Sequence, residues 1–130
     1  MTSAKVALAK YRTELNNGRH QFFADEPVEI GGADSAPAPD ELLEAALGSC
    51  SAITMKMYAE RKGWALKTAE VNVTLKRANG KTILNRDIIL DGELTNEQNE
   101  RLVQIAKLCP VSKTLSGSIE MLTRISVNLL

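Results

Sequence analysis

The chain has few of the residues that build nucleic-acid-binding surfaces. Its 130 residues include two cysteines, one histidine and one tryptophan, and aromatic residues make up only 4%. Sixteen basic and sixteen acidic residues cancel, and no basic tract occurs. Nucleic-acid-binding surfaces combine clustered cations with stacking rings. The composition therefore argues against a nucleic-acid partner.

Long apolar runs and metal-ligand clusters are missing as well. No stretch approaches the roughly 20 apolar residues of a membrane span, and the N-terminal residues lack the apolar block of a secretory signal. We therefore expect a single domain over residues 1–130, in the cytoplasm and away from membranes, with reduced thiols. Two cysteines and His20 cannot complete a four-ligand zinc site without a carboxylate, so no metal is expected.

Alternating and turn-forming residues predict strands on both sides of a long helix. The predicted strands cover residues 4–15, 20–24, 71–76, 83–90 and 119–129. Asn16-Asn17-Gly18 and Asn79-Gly80 are the turns that join the first two pairs. The segment around Val28–Ile30 is a candidate extension of the first pair.

The residues that begin and end helices predict helix boundaries more clearly than the alternating pattern predicts strands. Pro39 and the acidic residues after it open a helix over residues 39–62, and Gly63 ends it. Thr95 and Gln98 have capping-box spacing and open a second helix, which ends before Pro110. A short helical turn over residues 110–115 follows. This order predicts an α+β domain with mostly antiparallel sheets.

The long helix carries an apolar stripe whose centre is uncharged and small-sided. The stripe consists of Leu43, Ala46, Leu47, Cys50, Ile53 and Met57. One copy of the sheet cannot enclose every side of such a helix. We therefore predict an obligate homodimer that buries more than about 2,000 Å² in total.

The two cysteines are 59 residues apart, which excludes a local CxxC pair or a zinc knuckle. The spacing allows two thiols that the fold brings together. Cys109 directly precedes Pro110, so it lies at a helix N-terminus, where the dipole and free N–H groups favour the thiolate. Each cysteine also has a purely structural interpretation, because unpaired cysteines are commonly buried as small apolar residues. A cysteine protease using His20 is disfavoured, since His20 follows a turn in a predicted exposed hairpin.

Two segments together resemble a known family. They are GGADSAPAPDELLEAALGSC at residues 31–50 and LCPVSKTL at residues 108–115. In this order they resemble the OsmC/Ohr family of osmotically inducible and organic hydroperoxide resistance proteins, and most closely its general OsmC-like branch. The resemblance implies antiparallel sheets wrapped around long central helices in an intertwined dimer.

The resemblance also implies a chemistry: a thiol-dependent peroxidase without metal or haem. Cys50 would attack an organic hydroperoxide, Cys109 would resolve the product as a disulfide, and an external dithiol would reduce that disulfide. An arginine and an acidic residue activate the first thiolate, and Arg19 and Asp40 match those positions here. Asp40 stands where the family usually has Glu.

Alternatives to these assignments remain open. Glu41 and Arg86 are the substitutes for Asp40 and Arg19. Ten residues of helix rise about 15 Å, so Asp40 reaches Cys50 only from a partner helix or across a broken helix start. The rival function is a non-enzymatic dimer of the same fold that binds a small molecule or senses redox state.

Overall fold

Three short strands form an antiparallel meander at the N-terminus of the computed structural model, which describes residues 1–128. They are β1 (Ser3–Val6), β2 (Thr13–Asn16) and β3 (Gln21–Ala24), in the order β1-β2-β3. The predicted turn between β2 and β3 is present, and the Asn17 side chain accepts the backbone N–H groups of Arg19 and His20. The single strand predicted over residues 4–15 is wrong. The chain reverses between Val6 and Thr13, which pair with each other, and Lys10 takes a positive φ of 50° there.

The loop after β3 is organised by a buried carboxylate. Val28–Ile30 forms a 3₁₀ turn, so the meander ends at β3 instead of extending to this segment. Asp25 is buried, and its carboxylate accepts the Glu26 N–H at 2.8 Å and both the N–H and the hydroxyl of Ser35, at 3.0 and 2.6 Å. These hydrogen bonds, the Ser35 hydroxyl first, lower the pKa of Asp25 from 3.8 to about 2.

Helix α1 (Pro39–Lys62) has the predicted bounds. The Glu41 carboxylate accepts the backbone N–H of Ala38 and so satisfies a donor at the helix start. At the other end, Gly63 takes a φ of 70°, a left-handed conformation that residues with a Cβ adopt at a cost. The N–H groups of Gly63 and Trp64 then donate to the carbonyls of Glu60 and Ala59. This is the hydrogen-bond pattern of a Schellman C-terminus.

A long hairpin follows α1. Strands β4 (Ala65–Ala78) and β5 (Lys81–Glu93) pair in a two-stranded sheet. Asn79 and Gly80 have φ values of 52° and 73°, as the predicted hairpin turn requires. Both strands are longer than predicted, because backbone pairing continues past the segment in which apolar and polar residues alternate.

Two helices complete the regular structure of the described chain. Helix α2 (Asn96–Lys107) begins at the predicted capping box, in which Thr95 and Gln98 each bind the other's backbone N–H. Helix α3 (Pro110–Ser116) begins at the predicted proline. Within residues 1–128, no helix combines the length and apolar character that a membrane span requires.

The closing strand predicted over residues 119–129 is wrong for the described residues. Residues 118–128 have no regular secondary structure, and Leu129 lies outside the described range. The alternating apolar side chains of this segment, including Ile119, Met121 and Ile125, are exposed. Alternation predicts a strand only when a neighbouring strand pairs with it and a core covers one face, and the described chain provides neither.

The chain divides into two compact units. The first contains Met1–Ser49 and Glu70–Ile89, and the second contains Cys50–Ala69 and the chain from Leu90 onward. Buried apolar residues of the second unit include Met55, Ala59, Leu66, Leu102, Ile105, Ala106 and Cys109.

In the first unit, α1 contacts β4 at intervals of four residues. The carboxylate of Asp40 binds the guanidinium of Arg77. One turn later the carboxylate of Glu44 accepts the backbone N–H of Leu75 at 2.8 Å. After another turn, Gly48 faces Val71, and a Cβ at Gly48 would lie 3.4 Å from the carbonyl oxygen of Val71, at ordinary van der Waals contact. These contacts lie on one side of the helix, because residues four apart share a face.

The apolar stripe predicted on α1 is only partly buried. The buried residues of the helix lie on a different row, made of Leu47, Gly48, Ser51, Met55 and Ala59. Of the predicted stripe, Leu47 belongs to this row and Cys50 is half-buried. Leu43, Ile53 and Met57 are 42%, 58% and 63% exposed. Helix α1 therefore has one apolar row that the chain covers and a second, containing Cys50, that the single chain leaves open.

Replacing Asp25 by Asn tests the role of its carboxylate in the loop before α1. The folded pKa lies below the ordinary value, so the ionised carboxylate stabilises the fold above about pH 4, and this contribution is lost as the pH falls toward about 2. Asp25→Asn should therefore lower the melting temperature at neutral pH, and the deficit should shrink over that window. Thermal melts followed by circular dichroism measure both effects.

The matched control is Asp34→Asn, an exposed residue of the same loop with a φ of 51°, which asparagine tolerates. Its melting temperature should stay near that of the wild type at every pH. An Asp25→Asn deficit that is constant from neutral pH to about pH 2 would contradict the assignment.

Candidate active site

The two thiols lie in different settings within the second unit. Cys50 is half-buried in the middle of α1, and Cys109 is fully buried. Cys109 has an extended backbone and is the N-cap of α3, where its sulfur accepts the backbone N–H of Ser112 at 3.4 Å. The predicted placement of this thiol at a helix N-terminus is therefore confirmed by the geometry.

The side chain of α1 that meets Cys109 is Ser51. Its hydroxyl oxygen lies 3.7 Å from the Cys109 sulfur, and both residues are fully buried. Cys109 is thus in contact with the residue next to Cys50. Ser51 is not among the site residues predicted from the sequence. Its spacing of four from both Leu47 and Met55, a polar residue within an apolar row, could have identified it.

Asp40 is held by Arg77, an arginine that is not among the site residues predicted from the sequence. The guanidinium of Arg77, near the end of β4, donates two hydrogen bonds to the Asp40 carboxylate, at 2.6 and 2.9 Å. This hydrogen-bonded pair lowers the pKa of Asp40 below its ordinary value. The bidentate geometry is the strong form of an arginine–carboxylate contact. No local pattern links residues 37 positions apart.

Arg19 lies on the exposed turn between β2 and β3. Its guanidinium makes no hydrogen bond or ion pair with any residue in the range 1–128, and the same holds for the Cys50 thiol. Of the two substitutes, Glu41 caps the start of α1 and Arg86 is half-buried in β5. Among residues 1–128 no hydrogen bond joins the Cys50 thiol to a cation, and the catalytic roles of Arg19 and Asp40 stay predictions.

Among residues 1–128, no three side chains of the histidine, cysteine, aspartate and glutamate types converge in a way that could hold a metal ion.

Comparison with known proteins identifies the family. The family model described as OsmC-like protein matches residues 32–124, well over half of the chain, and includes both cysteines. The chain belongs to the OsmC-like protein family. A comparison with curated protein sequences finds no match.

Solved structures of this family share the fold. An OsmC-like protein from Mycoplasma pneumoniae has a TM-score of 0.75 at 20% identity, with 90% of this chain and 86% of that chain covered. An organic hydroperoxide resistance protein, OsmC, from Legionella pneumophila has a TM-score of 0.66 at 23% identity, with 90% and 88% covered. For the organic hydroperoxide resistance protein OhrB of Bacillus subtilis the TM-score is 0.62 at 20% identity, with 90% of each chain covered. The predicted α+β, OsmC-like fold is confirmed.

Replacing Cys109 by Ser or by Ala separates its structural role from its chemistry. A serine oxygen can accept the Ser112 N–H as an N-cap, whereas alanine cannot. Under reducing conditions Cys109→Ala should lose about 1 kcal/mol of unfolding free energy relative to Cys109→Ser. Urea denaturation of the two variants measures this difference. An alanine variant as stable as the serine variant would show that the Sγ contact does not cap α3.

Proposed function

We propose that this protein is a thiol-dependent peroxidase that reduces organic hydroperoxides through Cys50 and Cys109. The observation that carries the proposal is the contact between Cys109 and Ser51, since it brings the second cysteine to the helical turn that holds the first. Membership of the OsmC-like family supports it. So do similar proteins from Legionella pneumophila and Bacillus subtilis, both named for organic hydroperoxide resistance.

The proposed reaction has two steps in the protein. The Cys50 thiolate attacks the terminal oxygen of the hydroperoxide, and the O–O bond breaks. The sulfur is oxidised to sulfenic acid, while the alkoxide leaves and takes up a proton to become an alcohol. The Cys109 thiolate then attacks the Cys50 sulfur, a disulfide forms, and the sulfenic oxygen leaves as water. An external dithiol reduces the disulfide and restores both thiols.

The burial pattern of α1 favours a homodimer as the active form. Cys50 lies on the open apolar row together with Ile53 and Met57, which are more than half exposed in the single chain. An apolar row on a helix is stable in water when another surface covers it. A second copy on this row would exclude water from Cys50 and could carry to it the activating groups that one chain does not supply.

One observation favours the rival function. In the single described chain the Asp40 carboxylate is engaged by Arg77, and the Arg19 guanidinium has no partner among residues 1–128. A non-enzymatic dimer that binds a small molecule or senses redox state needs no activated thiolate. Turnover of an organic hydroperoxide is the property that separates the two functions.

Serine variants of the two cysteines test the proposed roles. With cumene hydroperoxide and excess dithiol, Cys50→Ser should show no turnover, because a serine hydroxyl is not oxidised by peroxide. Cys109→Ser, treated with the peroxide before dithiol is added, should consume about one equivalent to stall as sulfenic acid, or about two to reach sulfinic acid, since its resolving thiol is gone. Peroxide consumption and the mass of the intact protein measure both results. The opposite pattern would reverse the roles, and turnover in neither the wild type nor the variants would favour the rival.

Substitution of Arg19 tests which cation activates Cys50. Arg19→Ala should slow the oxidation of Cys50 by about 10²-fold with the fold intact, because it removes a charge that stabilises the thiolate and the leaving oxygen. Arg124→Ala, an exposed arginine of the segment 118–128, is the control and should leave the rate unchanged. Stopped-flow measurement of the first turnover gives both rates. An unchanged rate in Arg19→Ala would assign the role to another arginine, with Arg86 next to be tested.

A further inference from the structure

Three cations surround one aromatic ring in the second unit. The guanidinium carbons of Arg61 and Arg101 lie 5.3 and 5.5 Å from the ring centroid of Tyr58, and the ammonium nitrogen of Lys62 lies 5.6 Å from it. The Nε–H group of Arg101 donates to the Tyr58 hydroxyl at 3.1 Å. Each contact is within the range of a cation–π interaction.

This cationic cluster, Arg61, Lys62 and Arg101, has no carboxylate partner in the part of the chain that the structure describes. None of the three forms an ion pair within residues 1–128. The acidic neighbour of Arg61 on α1, Glu60, instead contacts Lys56 at 3.5 Å. Like charges gathered around one ring repel each other, and an anion placed among them would relieve that repulsion.

An open cavity of about 340 Å³ lies beside the cluster and shares Arg61 with it. Its lining is mainly apolar and consists of Thr54, Met57, Tyr58, Arg61, Ile105, Leu108 and Pro110. The volume falls within the roughly 300–1,000 Å³ of small-molecule sites. Tyr58 and Arg61 join the apolar wall to the cations, so one molecule could contact both.

We propose that this cavity binds an aliphatic carboxylate, with the chain against Ile105 and Leu108 and the headgroup between Arg61 and Arg101. The Nε–H group of Arg101 is used by Tyr58, which leaves its two terminal NH₂ groups for the bidentate contact that carboxylates make. An apolar chain with a single anionic end matches the two parts of the site. Neither part needs turnover at Cys50, so the binding does not depend on the proposed peroxidase.

The state of Tyr58 agrees with a positive local potential. The hydrogen bond from Arg101 and the charges of Arg101, Lys62 and Arg61 lower the pKa of Tyr58 below its ordinary value. The same potential that favours a phenolate at this point favours a bound carboxylate beside it.

Intrinsic fluorescence gives a direct binding assay. Trp64 is the only tryptophan, and its ring makes an edge contact with Tyr58 at a centroid distance of 5.4 Å. Titration of the full chain with sodium dodecanoate, below its aggregation concentration, should change Trp64 fluorescence in a saturable way. Dodecanol, dodecyltrimethylammonium and acetate should each bind at least tenfold more weakly, because each lacks the anionic head or the apolar chain.

Charge variants test the headgroup assignment. Arg61→Gln and Arg101→Gln should each weaken dodecanoate binding at least tenfold. Lys107→Gln removes one exposed positive charge from the same helix as Arg101 and should change the affinity less than twofold. Cys50→Ser should bind as the wild type does, even if the protein proves not to be a peroxidase.

Several results would overturn this site. Absence of saturable binding would mean that another surface, such as a second copy, fills the cavity. If dodecanol binds as tightly as dodecanoate, the cations do not contribute to binding. If Lys107→Gln loses as much dodecanoate affinity as Arg61→Gln and Arg101→Gln, the losses reflect the net charge of the protein and not a specific headgroup site. Vesicles of anionic phospholipid that bind as strongly as the free carboxylate, with the same dependence on Arg61 and Arg101, would assign the cluster to a membrane surface.

Discussion

The structure depends on one helix that is apolar on more sides than a single chain covers. Residues 45–55 of α1 carry no charge, and the row through Leu47, Ser51 and Met55 is buried within the chain. The row through Cys50, Ile53 and Met57 is not. A helix of this kind must meet a second apolar surface to be stable in water. The same arrangement leaves the proposed nucleophile half-buried in the single chain, on the row that a second surface would cover.

Helix α1 makes a different kind of contact near its start, in its middle and near its end. Near its start, the carboxylates of Asp40 and Glu44 bind β4 through Arg77 and the Leu75 N–H. In the middle, Ser51 meets Cys109 at the N-terminus of α3. Near its end, Arg61 belongs to the cationic cluster around the Tyr58 ring. The first of these contacts places an acidic residue, proposed as catalytic, in a paired and hydrogen-bonded state within the single chain.

Local chemistry made much of this fold predictable. Helix α1 begins at Pro39 and ends before Gly63, α2 begins at the Thr95–Gln98 capping box, and α3 begins at Pro110. Each of these signals acts on backbone groups within one turn of itself, so it can be recognised in the sequence. Contacts between distant residues were not predictable. Nothing in the sequence links Asp40 to Arg77, and the alternation after Ile119 does not reveal whether a neighbouring strand is available. Both cysteines were found through their sequence settings, but Ser51 required knowing which row of α1 is buried.

The most direct test of the account is the chemical state of the two cysteines after oxidation. Reduced protein treated with one equivalent of an organic hydroperoxide, then alkylated and digested, should yield a cross-linked pair of peptides containing Cys50 and Cys109 from the same chain. Mixed isotope-labelled and unlabelled protein distinguishes linkage within a chain from linkage between copies. Recovery of mainly intermolecular disulfides, or of Cys50 sulfinic acid with Cys109 still reduced, would contradict the resolving role of Cys109 and with it the proposed catalytic cycle.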